Sequence, residues 1–375
     1  MRVCALLITL LTALACQAGS VVTVTTDTTV VAEKQVRARV SGHQLRNPIL
    51  NALYQFVKEF SRVDTNYVEP QHYSFTVMLQ NTNTYEAYYL ANKAKQSIMF
   101  SPKPSVKLGP YVGWRWVFLG YTVDLTHLGS DDKKQDLNLS LYSNQIGLDL
   151  FYRKSGNDYT ITRLNLGDDI DTRAIKGASF DGLHSSITGG NLYYIFNHRK
   201  FSYPAAYSQS TVQRRTAGSP MLGIGYTRHS LEVDWEKLGE LVEQRLGSAY
   251  GETSIDSSLK FSKVKYTDYS ISGGYGINWV FAYNWLFNAS LMGSLSYKRS
   301  TSDVQQQSKD FFRDFDFKNI NLDGVLRLGL VWNNTRWYAG GSAVFHAYNY
   351  RKEQFRTNNI FGSVNIYFGY NFGRR

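Results

Sequence analysis

Long runs in which every second residue is apolar are the sequence feature that most constrains the fold of this chain. The run YSISGGYGINWVF at 269–281 puts Tyr, Ile, Trp and Phe on one face and mainly Ser, Gly and Asn on the other. Similar runs cover 117–126, 285–297 and 320–332, and each has 10 to 13 residues. Strands in globular proteins have about 5–6 residues, whereas a tilted strand that crosses a bilayer needs roughly 9–11. The alternation predicts β-strands, and their length favours membrane-spanning strands.

The connections between these runs are alternately short and long. Tight turns are predicted at 114–116, 281–285 and 332–337, whereas 234–268, 299–318 and 351–359 are long or polar. This asymmetry is typical of outer-membrane β-barrels. The prediction is an all-β fold, an antiparallel transmembrane β-barrel of about 12 strands (10–14), with one short N-terminal amphipathic helix. The predicted strands are 72–80, 105–114, 117–126, 136–143, 146–153, 188–199, 220–233, 269–281, 284–298, 319–332, 337–350 and 360–372, and YTITRL at 158–163 could add another.

Tryptophans cluster at the predicted tight turns. Six of the seven lie at or beside these turns, although tight turns have no intrinsic preference for Trp. A membrane interface does favour Trp, because its amphipathic ring fits the headgroup level. We therefore predict an aromatic girdle on the periplasmic side, made of Trp114, Trp116, Trp279, Trp285, Trp332 and Trp337.

The C-terminal stretch GSVNIYFGYNFGRR also alternates. It is predicted to be the strand that closes the barrel by pairing with the first strand, near 72–80, because lipid leaves no partner for an open sheet edge. Its lipid-facing residues would be Val364, Ile366, Phe368, Tyr370 and Phe372, with Asn365 and Asn371 facing inward. An aromatic residue near the C-terminus resembles the signal read by the outer-membrane insertion machinery, although three residues follow Phe372 here.

The N-terminus predicts a secretory signal peptide at 1–18, with Arg2, an apolar stretch and small residues before a cleavage site. A lipoprotein acylated on Cys16 is the weaker alternative. Residues 19–70 are predicted to be a periplasmic segment whose helix, at 48–62, carries an apolar stripe. That stripe could dock onto the rest of the chain, lie on a membrane or act as a plug. Residues 71–375 would form the barrel.

Cysteine content and charge narrow the possible functions. Both cysteines, Cys4 and Cys16, lie in the predicted signal peptide, which excludes a disulfide framework, a Cys-ligated metal and a Cys nucleophile in the mature chain. The formal net charge of +11 favours anionic surroundings. For an exported protein, outer-membrane lipid and lipopolysaccharide are the expected partners rather than nucleic acid. The oligomeric state is left open by the sequence.

Two stretches carry a family resemblance. LGPYVGWRWVFLGYTVDL at 108–125 and NLYYIFNHRKFSYPAAYSQSTVQRRTAGSPMLGIGY at 191–226 are similar to an uncharacterised family of Bacteroidetes-type outer-membrane barrels, defined only as a domain of unknown function. The similarity runs from about residue 63 to the C-terminus. The resemblance implies a barrel in the outer membrane and supplies no activity.

The segment 200–220 is unusual because strand parity places it on the side where turns should be short. It is basic and polar, and it contains Arg214 and Arg215. It could be an inward-folded plug, a contact for a periplasmic partner, or a long ordered turn.

Charged residues and one histidine fall on the predicted lumenal faces. They are Asp124, Asp149, Arg153, Asp323, Arg327 and His346. In a wide barrel such charges would line a pore, and in a narrow barrel they would pair across the lumen. Asp323 and Arg327 share a face and could also pair along their strand.

No catalytic or cofactor motif is found in the sequence, so no enzyme activity, metal or cofactor is predicted. The acidic stretch GDDIDTR at 167–173 offers too few oxygens for calcium and is predicted to be a solvated loop. The leading functional hypothesis is a pore or small-solute transport barrel. The alternatives are a lumen-closed structural or adhesive barrel and, with less support, a barrel lipid hydrolase.

Overall fold

A computed structural model describes most of the chain beyond residue 61. The described residues are 62–114, 117–120, 123–126, 135–154, 158–167, 170–251, 254–261, 263–300, 317–351 and 355–374. The predicted signal peptide at 1–18, the predicted helix at 48–62 except its last residue, and Trp116 lie outside them.

The described residues form eighteen strands and two α-helices. The strands are β1 (Val68–Pro70), β2 (Tyr73–Asn92), β3 (Ser97–Pro102), β4 (Ser105–Trp114), β5 (Val117–Gly120), β6 (Val123–Asp124), β7 (Gln135–Tyr142), β8 (Ile146–Lys154), β9 (Tyr159–Asn165), β10 (Ser179–Phe180), β11 (Leu183–Ile195), β12 (Thr211–Gln213), β13 (Ala217–Val233), β14 (Lys263–Ala282), β15 (Trp285–Ser300), β16 (Ile320–Asn333), β17 (Trp337–Arg351) and β18 (Phe355–Arg374). The helices are α1 (Tyr203–Tyr207) and α2 (Trp235–Leu246), and 3-10 turns occur at Arg173–Ile175 and Phe317–Asn319.

One large antiparallel sheet contains all twelve strands predicted from the sequence. These strands follow the order β4-β2-β18-β17-β16-β15-β14-β13-β11-β8-β7, and β5 and β6, two parts of one predicted strand, pair with β4. The sheet has sixteen described strands in all, because β10, β9 and β3 continue it from β2. The predicted all-β antiparallel fold is therefore confirmed. The predicted pairing of the C-terminal strand with the first strand is present, with Phe372 opposite Phe75.

The two faces of this sheet differ in the expected way. We call the face with exposed apolar side chains the outer face and the opposite one the inner face. On β18, Ile366 and Phe368 are 60% and 53% exposed, whereas Tyr367 and Asn371 between and beyond them are buried. Alternation along the strand thus separates an apolar outer face from a polar inner face.

The sheet curls until inner faces of distant strands touch. The Tyr88 hydroxyl on β2 lies 2.6 Å from Ser185 Oγ on β11, seven strands away in the sheet order. The Phe151 ring on β8 lies 5.7 Å from the Phe361 ring on β18, also seven strands away. Such contacts require a strongly rolled sheet, because flat neighbouring strands are about 4.8 Å apart.

The two ends of the rolled sheet are built differently. At the short-turn end, residues 283–284 join β14 to β15 and residues 334–336 join β16 to β17. At the opposite, long-loop end, β2 continues past β4 and pairs with β3, which pairs with β9. A separate apolar core fills this end and includes Leu90, Phe100, Phe180, Leu238 and Val242.

The helix α2 was not predicted, because it lies in the stretch 234–268 that was predicted to be long or polar, whereas the predicted N-terminal helix stays a prediction. Asp234 caps α2 by accepting a hydrogen bond from the Lys237 amide, and Leu238 and Val242 face the core of the long-loop end. None of the helices in the described part of the chain has the length and apolar character needed to cross a membrane.

A glycine beneath a tyrosine gives a test of the inner-face packing. Gly147 on β8 lies directly opposite Tyr193 on β11, and a Cβ at Gly147 would overlap the Tyr193 ring. We expect Gly147→Ala to destabilise the fold by about 1–3 kcal/mol, because the ring must move. Gly293→Ala is the control, since a Cβ there meets no atom within 4 Å. Urea unfolding of the full chain in lipid vesicles measures both, and equal midpoints for the two variants would contradict the packing.

Candidate functional site

A buried ion pair links opposite walls of the rolled sheet. Asp149 on β8 contacts the Arg327 guanidinium on β16, and the Arg327 side chain is fully buried. Asp149 also accepts hydrogen bonds from Ser140 Oγ at 2.7 Å and from the Tyr142 hydroxyl at 3.1 Å. The Arg327 guanidinium lies 4.9 Å from the centre of the Tyr193 ring. The charges of Asp149 and Arg327 are thus neutralised by each other in the middle of the inner face.

A second buried cluster lies nearby on the inner face. Lys298 Nζ lies 2.9 Å from Asp323 and 3.6 Å from Asp268, and all three side chains are essentially unexposed. Lys298 also donates to the Asn349 carbonyl at 2.5 Å. Lys298 and Asp268 were not among the predicted site residues. Strand parity carries the signal that could have found Lys298, because it alternates inward with Ser294 and Ser296.

The predicted pairing of Asp323 with Arg327 along β16 is wrong. Asp323 contacts Lys298 of the neighbouring strand, and Arg327 contacts Asp149 across the interior. Four residues along a strand cover about 13 Å, whereas neighbours on adjacent strands are about 5 Å apart. Cross-strand and cross-interior partners are therefore closer than a partner on the same strand.

The other predicted inner-face residues form two separate groups. Arg153 and His346 are both buried against Phe361, with the Arg153 guanidinium 4.8 Å from the ring centre and the His346 ring stacked at 5.0 Å. Asp124 stays apart from them, and it accepts hydrogen bonds from Ser105 Oγ at 2.5 Å and Thr126 Oγ1 at 2.6 Å. His346 is thus packed among aromatic rings, since its ring also lies parallel to that of Tyr348, 6.2 Å away.

The connection between β11 and β13 folds into the interior at the short-turn end. We call residues 201–213 the inner segment. Its α1 buries Tyr203, Ala205 and Ala206. The Tyr203 hydroxyl donates to Ser290 Oγ at 2.6 Å, and the Tyr207 hydroxyl donates to Asn288 at 2.5 Å. The sequence left open an inward-folded plug, a contact for a periplasmic partner and a long ordered turn. The inner segment is folded inward.

Arg214 and Arg215 lie at the end of the inner segment and face the N-terminal strand. Arg214 donates to Glu69 at 2.5 Å and to Asn284 at 2.6 Å. The Arg215 guanidinium lies 5.9 Å from the centre of the Tyr67 ring. Together with the pairing of β1 and β12, these contacts attach the inner segment to residues 67–70 and to the turn at 283–284.

The tryptophans predicted to form a girdle lie at one end of the sheet. Trp285 is directly opposite Trp332, and Trp337 is opposite Tyr370 near the chain end. Trp114 and Trp279 are each 54% exposed on the outer face. All five described tryptophans of this set are within a few residues of the short-turn end.

No group of three or more His, Cys, Asp or Glu side chains in the described part of the chain is placed to hold a metal ion. The buried histidines His229 and His346 stack on aromatic rings, His229 on Tyr266 at 4.5 Å. The arrangement of the inner face is therefore one of paired charges and packed rings.

Residues 62–372 match the family described as Domain of unknown function (DUF4421). The chain belongs to this family. The match covers all eighteen strands except the last residues of β18. A comparison with curated protein sequences gives no significant match.

Solved structures of outer-membrane proteins are similar to this family member at low identity. The match to the outer membrane protease OmpT of Escherichia coli covers 80% of this chain and 97% of the OmpT chain, with a TM-score of 0.34 and 8% identity. The translocator domain of the autotransporter NalP from Neisseria meningitidis covers 86% and 95%, with a TM-score of 0.27 and 11% identity. The match to the P. putida toluene transporter TodX covers 80% of this chain and 91% of TodX, with a TM-score of 0.22 and 7% identity. Such TM-scores are too low to carry detail to this chain.

The ion pair between opposite walls gives a second test. We expect Asp149→Leu and Arg327→Met each to destabilise the fold by about 3–5 kcal/mol, because each leaves one buried charge without its partner. The double variant should recover much of that loss, because it removes both charges. Urea unfolding followed by Trp fluorescence measures the cycle.

The matched control for this cycle is the exposed pair of Asp171 and Arg173, whose side chains are 61% and 91% exposed. Removing that pair should leave the unfolding midpoint nearly unchanged, because water screens both charges. Single variants of Asp149 and Arg327 that unfold like the wild type would contradict the role of the buried pair.

Proposed function

We propose that this protein is a lumen-closed β-barrel in the outer membrane of a Gram-negative bacterium, with a structural or adhesive role exercised at its long-loop end. The observation that carries this proposal is the filled interior, in which the Asp149–Arg327 pair and the inner segment occupy the space between the walls. The mostly apolar outer face supports a position within the membrane. The difference between the two ends of the sheet supports an orientation with the long-loop end outside the cell and the short-turn end in the periplasm.

The outer face has the height and chemistry of a membrane-spanning wall. On β18, exposed apolar side chains run from Phe372 to Ile360. This stretch covers roughly 30 Å along the membrane normal, at about 3.3 Å per residue and a strand tilt of about 40°. That is the thickness of the hydrocarbon core of a bilayer. The exposed tryptophans at the short-turn end suit the periplasmic headgroup level.

The sequence favours a pore, but the filled interior supports the alternative of a lumen-closed barrel. Arg327, Lys298 and Tyr203 are almost completely buried, although all three are on or against the inner face. The rings of Tyr142, Tyr203 and Tyr207 stack at 5.4–5.8 Å from one another. A water-filled channel would leave such polar groups hydrated, as in porins.

The long-loop end supports a role exercised outside the membrane. It has its own apolar core, contributed by β2, β3, β9, β11 and α2. Connections that only link strands need no such core, because exposed polar loops are sufficient. An ordered end of this kind can present a fixed surface to a partner.

The short-turn end supports insertion of the chain with this end on the periplasmic side of the membrane. Phe372 stacks on Phe75 at 5.5 Å, so the aromatic residue near the C-terminus is ordered on the outer face of the last strand. We propose that this strand is recognised by the outer-membrane insertion machinery.

Single-channel recording in planar bilayers tests the closed lumen. We expect the wild-type chain to give no conductance steps. The variant Tyr203→Ser/Arg327→Ser should give steps, because it removes a ring and a guanidinium that both pack against Tyr193 in the interior.

The control for the conductance test is Arg173→Ser/Tyr283→Ser, which makes the same two changes at exposed positions. Arg173 and Tyr283 are 91% and 86% exposed. This control should stay silent. Steps from the wild-type chain would overturn the closed lumen and favour the pore hypothesis.

A further inference from the structure

A cationic cleft of about 550 Å³ lies at the long-loop end, between the β2–β3 hairpin, β9 and the start of β18. Lys95, Arg163 and Arg356 line it, with Tyr89 among the other wall residues. No aspartate or glutamate is among the ten described residues that line the cleft. The cleft therefore offers positive charge without an acidic partner in its wall.

A β-bulge brings one of these cations to the cleft. Met99 pairs with Arg163 but the next residue, Phe100, pairs with Ile161, so β9 has one extra residue at this point. Ile161 and Phe100 are fully buried in the core of the long-loop end. The bulge turns Arg163 to the opposite, exposed face, because an extra residue reverses the alternation. Without it, Arg163 would point toward the apolar core together with Ile161.

The strand register puts the two arginines on the outer face of the sheet. Arg163 is opposite Met99, Met99 is opposite Tyr89, and Arg356 is opposite Ala91. Residues directly opposite on antiparallel strands share a face. Tyr89 and Ala91 have the parity of Phe75 on β2, which is exposed on the apolar outer face. The cleft thus faces the surroundings of the barrel.

The height of the cleft matches a lipid headgroup. Toward the long-loop end, Ile360 is the last exposed apolar residue of β18. Arg356 lies four residues farther in that direction along the same strand. Four residues on a tilted strand correspond to roughly 10 Å along the membrane normal. Headgroup regions add about 5–8 Å on each side of the hydrocarbon core. Arg356 is therefore at or just above the headgroups of the outer leaflet.

We propose that this cleft binds the phosphate groups of an outer-leaflet glycolipid. Arg163 and Arg356 are on strands three apart in the order β9-β3-β2-β18, which separates their backbones by roughly 14 Å. This spacing suits a headgroup with more than one phosphate better than a single free phosphate ion. Guanidinium groups bind phosphate oxygens through two parallel hydrogen bonds, and Lys95 adds a third cation.

Lipid binding to the full chain in detergent micelles, measured by native mass spectrometry, tests this inference. The probes are lipid A with two phosphates, the same glycolipid without phosphate, and inorganic phosphate as competitor. We expect the phosphorylated glycolipid to bind at least about tenfold more tightly than the stripped one, which corresponds to about 1.4 kcal/mol, because its phosphates accept charge-assisted hydrogen bonds from the cleft cations.

Charge-removing variants locate the binding site. Lys95→Gln/Arg163→Gln/Arg356→Gln should lower the affinity for the phosphorylated glycolipid at least about tenfold. The control Lys93→Gln/Lys176→Gln/Arg245→Gln removes three exposed cations of the same end that do not line the cleft. This control has the same net charge as the cleft variant, and it should bind the phosphorylated glycolipid like the wild type.

Three outcomes would overturn the inference. They are equal binding of the two glycolipids, equal loss in the cleft variant and its control, and displacement of the glycolipid by inorganic phosphate at similar concentration, which would identify a site for free phosphate. The inference rests on the proposed membrane position. A chain that fails to insert into vesicles would defeat the proposed function itself, whereas an inserted chain that ignores lipid phosphate would defeat only this assignment.

Discussion

The structure depends on strict alternation along long strands, which puts apolar side chains outside and polar side chains inside. This is the reverse of the usual arrangement of a soluble protein, in which the largest apolar residues are buried. The consequence is an interior lined by Ser, Asn and charged groups. Buried charges are costly unless they are paired and hydrogen-bonded. The Asp149–Arg327 pair and the Lys298–Asp323 contact compensate the charges that this arrangement buries.

The inner segment fills such an interior with groups suited to it. Tyrosine combines a large ring with a hydroxyl, so Tyr203 and Tyr207 occupy volume and also satisfy Ser290 and Asn288 on the wall. An apolar helix would have left those wall groups without hydrogen-bond partners. Tyr193 receives the Arg327 guanidinium on its face and covers Gly147, which joins the packing of the wall to the ion pair. Closure of the interior is thus a property of the wall and the inner segment together.

The strands were predictable from the sequence because their signal is local. Period-two alternation predicted twelve strands, all of which lie in the large sheet, and parity alone placed Asp149, Arg153, Asp323, Arg327 and His346 on the inner face, where all five are buried. The partners were not predictable, because Arg327 meets Asp149 only after the sheet curls. In the arm formed by β3, β9 and β10, the possible strand at 158–163 corresponds to β9, whereas β3 and β10 were missed because they are short. The apolar stripe of α2 is present in the sequence, but it stands in a polar stretch that resembles a loop.

The two ends of the rolled sheet carry different kinds of order. At the short-turn end, hydrogen bonds between polar groups join β1 to β12 and the following residues to the wall. At the long-loop end, an apolar core orders the extension of β2, and the same extension presents Arg163 and Arg356 outward. Ordering a loop loses conformational entropy, so a core at this end stabilises a shape that a simple strand connection would not need. An ordered long-loop end that presents cations outward is consistent with the proposal that this protein makes its contacts there rather than through its interior.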